Sequence, residues 1–178
     1  MKKIMSITLT VFLGLILVPL GAHSGEYQKV AVSHSRDFER VKELVGVWEG
    51  KADMGKGMEG IKATYELTSA GNAIVERLFV GQPHEMVTVY HDFDGRLSMT
   101  HYCSLGNQPH MELMNAGDNN MMFVLSEKNS NLSSLKETHM HALTISFDSK
   151  DSITQTWSLY ENGEKKSDVV IKLVRTGS

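Results

Sequence analysis

The sequence predicts an all-β fold: an up-and-down antiparallel barrel of eight to ten strands behind one short N-terminal helix. Three observations carry this expectation. Ten segments after residue 46 alternate apolar with polar residues, the period of a half-buried strand. Turn chemistry separates them at short intervals. Closing such a meander into a barrel also removes its exposed edges.

The chain begins with Met1-Lys2-Lys3 and an apolar run from Ile4 to Leu20, followed by Ala22 and Ser24 before Gly25. A basic start, an apolar core and a small-residue exit predict a secretory signal peptide over residues 1–24. Gly14 and Pro19 interrupt the run, which is short for a membrane span. No later segment approaches a span. The expectation is an exported protein, periplasmic or extracellular, with no membrane span once the signal is removed. Residues 25–36 form a polar lead-in expected to be poorly ordered. Residues 37–178 suffice for one β-barrel domain with a sizeable core.

Asp37 is the expected cap of a helix carrying Phe38, Val41, Leu44 and Val45 on one stripe, and Gly46 stops it. The strands follow at 47–53, 60–68, 73–80, 85–92, 96–103, 109–116, 121–127, 139–147, 152–160 and 167–175. Ala70-Gly71-Asn72, Asp94-Gly95, Gly106-Asn107-Gln108-Pro109, Gly117-Asp118-Asn119-Asn120 and Asn162-Gly163 are turn signals between them. Lys128–Lys136 is polar and reads as a longer loop with one helical turn at Leu132–Leu135.

Charge and cysteine content narrow the function classes. The chain has 18 basic and 21 acidic residues, a net charge of −3, and loss of Lys2 and Lys3 makes the remainder more acidic. That balance predicts no nucleic-acid partner. Cys103 is the single cysteine, so an intrachain disulfide is impossible. It is a buried apolar filler, a metal ligand, or half of an intermolecular bridge.

Leu44-Val-Gly46-Val-Trp48-Glu-Gly50 resembles the Gly-x-Trp entry strand of the calycin superfamily, the lipocalins and fatty-acid-binding proteins. The resemblance implies a barrel whose floor is closed by Trp48 under a cation from the last strand, here Arg175. The chain also resembles small exported bacterial proteins of unassigned function. That likeness rests on the Gly-x-Trp-Glu-Gly start, Pro83-His84-Glu85-Met86-Val87-Thr88-Val89-Tyr90-His91 and Thr100-His101-Tyr102-Cys103-x-x-Gly106-Asn107-Gln108-Pro109. It implies location and fold and brings no activity.

Candidate site residues follow from strand parity, because side chains two apart share a face. His101 and Cys103 share a face with Leu97 and Met99, and His139 and His141 with Leu143, Ile145 and Phe147. Imidazoles on an apolar face need a reason to be there. If the two strands aim at one barrel mouth, three imidazoles and a thiol converge. Such a set suits zinc, copper or heme. The alternative is a group of polar side chains wetting one end of a cavity for a small apolar or amphipathic ligand. Glu76, in register with Ile74 and Leu78, and Glu85, in register with Val87 and Val89, are candidate inward acids. Gln108 has no structural need for its turn position and is a candidate ligand contact.

No Gly-x-Ser-x-Gly elbow, phosphate-cradling loop, dinucleotide fingerprint or His-Glu-x-x-His motif is present. Binding of a small molecule is therefore favoured over catalysis. A transition-metal or heme barrel is the first alternative. An enzyme using Glu76 or Glu85 with a histidine as acid and base is the second.

Overall fold

The computed structural model describes residues 32–53, 55 and 57–177, so the expected signal peptide and most of the lead-in lie outside the described residues. Helix α1 spans Arg36–Lys42. Ten strands follow: β1 Gly46–Asp53, β2 Met58–Thr68, β3 Ala73–Leu78, β4 Met86–Phe93, β5 Arg96–Tyr102, β6 His110–Ala116, β7 Asn120–Leu125, β8 His139–Ser149, β9 Ser152–Glu161 and β10 Glu164–Gly177. Every strand pairs antiparallel with its sequence neighbours, and β1 pairs with β10, which closes the barrel. The all-β fold class, the strand number and the short leading helix are as the alternation predicts.

One end of the barrel is a floor. Trp48 is fully buried, and its Nε1 donates to Leu44 O at 2.8 Å. The Arg175 guanidinium lies 4.2 Å from the centre of the Trp48 ring. The same guanidinium donates to Val45 O at 2.7 Å and Glu43 O at 2.8 Å, carbonyls that the end of α1 leaves unpaired. Cation–π stacking and carbonyl capping thus join the first strand to the last. At Gly50 the β1 backbone passes so close to β10 that an added Cβ would lie 1.8 Å from Lys172 O.

Helix α1 lies against β4 and β5 and buries Phe38 and Val41. Its cap is Ser35, not Asp37: the Ser35 hydroxyl accepts from Phe38 N at 3.0 Å. Ser35 in turn donates from its own N and hydroxyl to the Asp92 carboxylate, each at 2.7 Å. The last residues of the lead-in are thereby tied to β4, contrary to the expectation of poor order. Arg40 anchors the helix to the β6–β7 turn through Gly117 O and Asp118 O. The helical turn expected at Leu132–Leu135 does not form, and that stretch remains in bends and turns.

The lumen is filled rather than hollow. Trp48, Tyr65, Tyr90, Phe123, Met99, Met111 and Met121 are all fully buried. At the far end of the barrel one cleft lies between the β1–β2, β5–β6 and β9–β10 ends, and a second pocket lies between the β5–β6 and β7–β8 loops.

Candidate functional site

Inward-facing polar residues form one connected network in the barrel. Tyr65, Glu76, Thr88 and His101 are successive cross-strand partners on β2, β3, β4 and β5, so one register row places all four on the same face. Tyr65 donates to Glu76 Oε1 at 2.7 Å, and Tyr90 donates to Glu76 Oε2 at 2.8 Å. The Gln155 amide nitrogen donates to the Tyr65 hydroxyl at 2.6 Å and to Glu76 Oε1. Gln155 Oε1 accepts from Trp157 Nε1 at 2.9 Å.

Glu76 is fully buried, and that burial pushes its carboxyl up from the ordinary range, while hydrogen bonds from Tyr65, Gln155, Tyr90 and Thr88 pull it back. Tyr65 and Tyr90 are raised well above the usual phenol range, first by burial and then by Glu76. Around Glu76 the side-chain donors and acceptors of Tyr65, Tyr90, Gln155 and Trp157 are paired with one another. The network is a stabilised polar core of the kind that specifies one packing arrangement.

His101 is the network's outermost member. It is 1% exposed, its Nδ1 lies 2.9 Å from Thr88 Oγ1, and its ring centre is 4.4 Å from that of Trp157. Burial lowers its pKa to about 4, so the ring is neutral at neutral pH. Thr88 Oγ1 is the partner of His101 Nδ1, and which of the two donates follows from the tautomer of the ring. Among the described residues Nε2 makes no hydrogen bond.

Above this layer the barrel opens into a cleft of about 480 Å³. Met86, Cys103, Met140, Leu159 and Val169 form its apolar wall, and Asp53 and Asp168 stand at its rim. Cys103 follows the last residue of β5 and is half-buried. Its Sγ lies 4.0 Å from Met86 Sδ, and burial pushes the thiol up from its ordinary pKa.

The expected convergence of four groups does not occur. His101 and Cys103 face inward, but His139 and His141 face outward. His139 pairs with Tyr160, on the face of β9 opposite Trp157 and Leu159. A β-bulge between Met140 and Ala142 places His141 as the extra residue and shifts the parity of the strand. Met140 therefore takes the inward position at this end. His139 Nδ1 donates to Glu137 O at 2.7 Å, and its Nε2 accepts from His141 Nδ1 at 3.3 Å. His141 stacks on Tyr160 at 3.9 Å. Burial, then the neighbouring His139, lowers the His141 pKa. Among the described residues no group of three or more His, Cys, Asp or Glu is placed to hold a metal.

The remaining candidates separate as well. Glu76 lies inside the barrel, as its register with Ile74 and Leu78 requires. Glu85 does not: it is exposed in the β3–β4 loop, where it accepts from Gly81 N at 2.8 Å and from Arg77 at 3.1 Å. The Gly81 bond, followed by Arg77, holds its carboxyl below the usual range. The inward residues of β4 are Met86, Thr88 and Tyr90. Gln108 is exposed and donates to Gly106 O at 3.2 Å within its own turn. Its neighbour Asn107 carries the structural role, donating to Thr138 O at 2.9 Å and Glu137 Oε1 at 3.2 Å, which pins the β7–β8 loop.

Sequence reasoning missed Met86 and Met140 as cleft residues, and Tyr65, Tyr90 and Gln155 as partners of Glu76. The alternation Met86-x-Thr88-x-Tyr90 carried the signal on β4, but both faces of that segment are partly apolar.

No protein-family model matches the chain, and no curated protein sequence matches it. Among solved structures it is similar to Rv2717c from M. tuberculosis, with 12% identity and a TM-score of 0.55, covering 81% of this chain and 99% of that one. It is also similar to a protein of unknown function from the DUF3598 family of Nostoc punctiforme. There the identity is 13%, the TM-score 0.52, and the coverage 76% of this chain and 49% of that one. The chain thus spans about half the length of that second protein. At these identities the likeness concerns the barrel fold alone.

Proposed function

We propose that this protein is an exported, calycin-type barrel that binds a small apolar or amphipathic molecule in the cleft at its open end. The observation that carries the reading is the cleft itself: about 480 Å³ walled by Met86, Cys103, Met140, Leu159 and Val169. That volume falls within the range of small-molecule sites. Burying apolar ligand surface there supplies about 25 cal/mol per Å² before the costs of association. Methionine thioethers adapt to ligands of varied shape.

The site lies above the filled lumen and not within it, so the bound molecule rests on the His101–Trp157 layer. Export is the reading favoured by the basic start and the apolar run from Ile4 to Leu20.

Titration with the fluorescent apolar amine N-phenyl-1-naphthylamine tests the reading. One saturable site is expected, lost in Val169→Trp, which fills the cleft. Saturable binding that survives Val169→Trp unchanged would place the ligand elsewhere and overturn it.

A further inference from the structure

The cleft wall gathers sulfur. Cys103 Sγ and Met86 Sδ are 4.0 Å apart, and Met140 lines the same cleft. Metal–sulfur bonds of about 2.3 Å put two sulfurs sharing one ion at most about 4.6 Å apart. The observed separation already lies inside that limit, without any movement of the backbone.

The three residues come from β4, the end of β5 and β8, which are separate strands of a rigid wall. Met140 reaches this wall through the bulge that turns His139 and His141 out. The bulge therefore exchanges two imidazoles for a thioether and changes the metal class that the wall suits. Thiolate and thioether sulfur select soft ions, whereas zinc sites draw on cysteine, histidine and carboxylate. Leu159 and Val169 flank the sulfurs with hydrocarbon, and the oxygen-bearing lining residues Asp53, Ser104, Ser167 and Asp168 are hard donors that a soft ion disfavours. His101 is the next inward residue below Cys103 and lies beneath the cleft, outside its lining. Its Nδ1 lies 2.9 Å from Thr88 Oγ1, which fixes the ring under the cleft floor.

We propose that the sulfurs of Cys103, Met86 and Met140 bind one soft monovalent metal ion of the Cu(I) class in the cleft at the open end of the barrel. On binding, the Cys103 thiol releases its proton to solvent as Sγ bonds the ion. The ion stays Cu(I), so no electron is transferred. The site stands on the three sulfurs and not on the apolar-ligand reading. Naphthylamine binding and metal binding can therefore each fail while the other survives.

The test uses Cu(I) held anaerobically, with Ag(I) as its redox-inert counterpart, on the full-length exported protein. One ion per chain is expected. X-ray absorption at the copper edge should show two or three sulfur neighbours. Met86→Leu and Met140→Leu conserve volume and keep the thiol. Each should weaken binding at least about tenfold, the loss that even an outer partner of a ligand commands. An ion with a single sulfur neighbour, or affinity unchanged in both methionine variants, would mean that Cys103 alone captures the metal, and would overturn the site.

Discussion

Acidification should loosen this barrel, and the deeply buried His101 makes a separable contribution to that loss. His101 is 1% exposed and its pKa falls from 6.5 to about 4 in the folded protein. The unfolded chain, with its imidazole in water, takes up the proton first. A depressed folded pKa contributes stability that is complete above about pH 6.5 and is lost as pH falls toward 4. The shift spans about 2.5 pH units, at 1.36 kcal/mol each, so His101 alone accounts for about 3 kcal/mol across that window. That is a large share of the 5–15 kcal/mol typical of a single domain. Glu76 works in the opposite sense: its raised carboxyl pKa adds stability as pH falls and loses it as pH rises through the folded value. The two are separated by difference. Urea unfolding is measured from pH 7.5 to pH 4 for the native chain and for His101→Asn, whose amide replaces Nδ1 opposite Thr88. The variant is less stable at neutral pH but should lose about 3 kcal/mol less than the native chain over the window. Parallel stability curves for the two proteins would refute the buried neutral imidazole.

The floor and the seam give two further expectations. Trp48→Ala removes a fully buried indole together with its hydrogen bond to Leu44 O and its stacking on Arg175, and should cost about 3–5 kcal/mol in chemical denaturation. Gly50→Ala drives a Cβ to 1.8 Å from the Lys172 carbonyl oxygen, so β1 and β10 must separate locally. A loss of about 3 kcal/mol, the upper end for overpacking, is expected, read as a drop in melting temperature and faster amide exchange along β10.

The barrel was legible in the sequence because its strands obey a two-residue period almost throughout. Ile153, Gln155, Trp157 and Leu159 announce both the strand and its inward face. The Gly46-x-Trp48 start and Arg175 announce the closure of the floor. The site was less legible, for two physical reasons. On β4 the two faces carry comparable apolar content, since Val87 and Val89 compete with Met86 and Tyr90. Parity there is decided by the neighbours that Thr88 and Tyr90 meet across the barrel. On β8 a single bulge at His141 reverses the facing of everything before it. The bulge residue has no Gly or Pro to mark it, so His139 and His141 kept an apparent register with Leu143 that the backbone does not preserve. Capping failed in a smaller way: Ser35 and Asp37 are both good caps. Asp92, 57 residues beyond Ser35, holds Ser35 in place.

The central claim is that ligand binds above the filled lumen, against Met86 and Met140, and methionine methyl NMR during titration with N-phenyl-1-naphthylamine tests it most directly. The Met86 and Met140 methyl resonances should shift and saturate together, while those of the deep residues Met99 and Met111 stay in place. Movement of Met99 and Met111 with Met86 and Met140 unchanged would contradict the account.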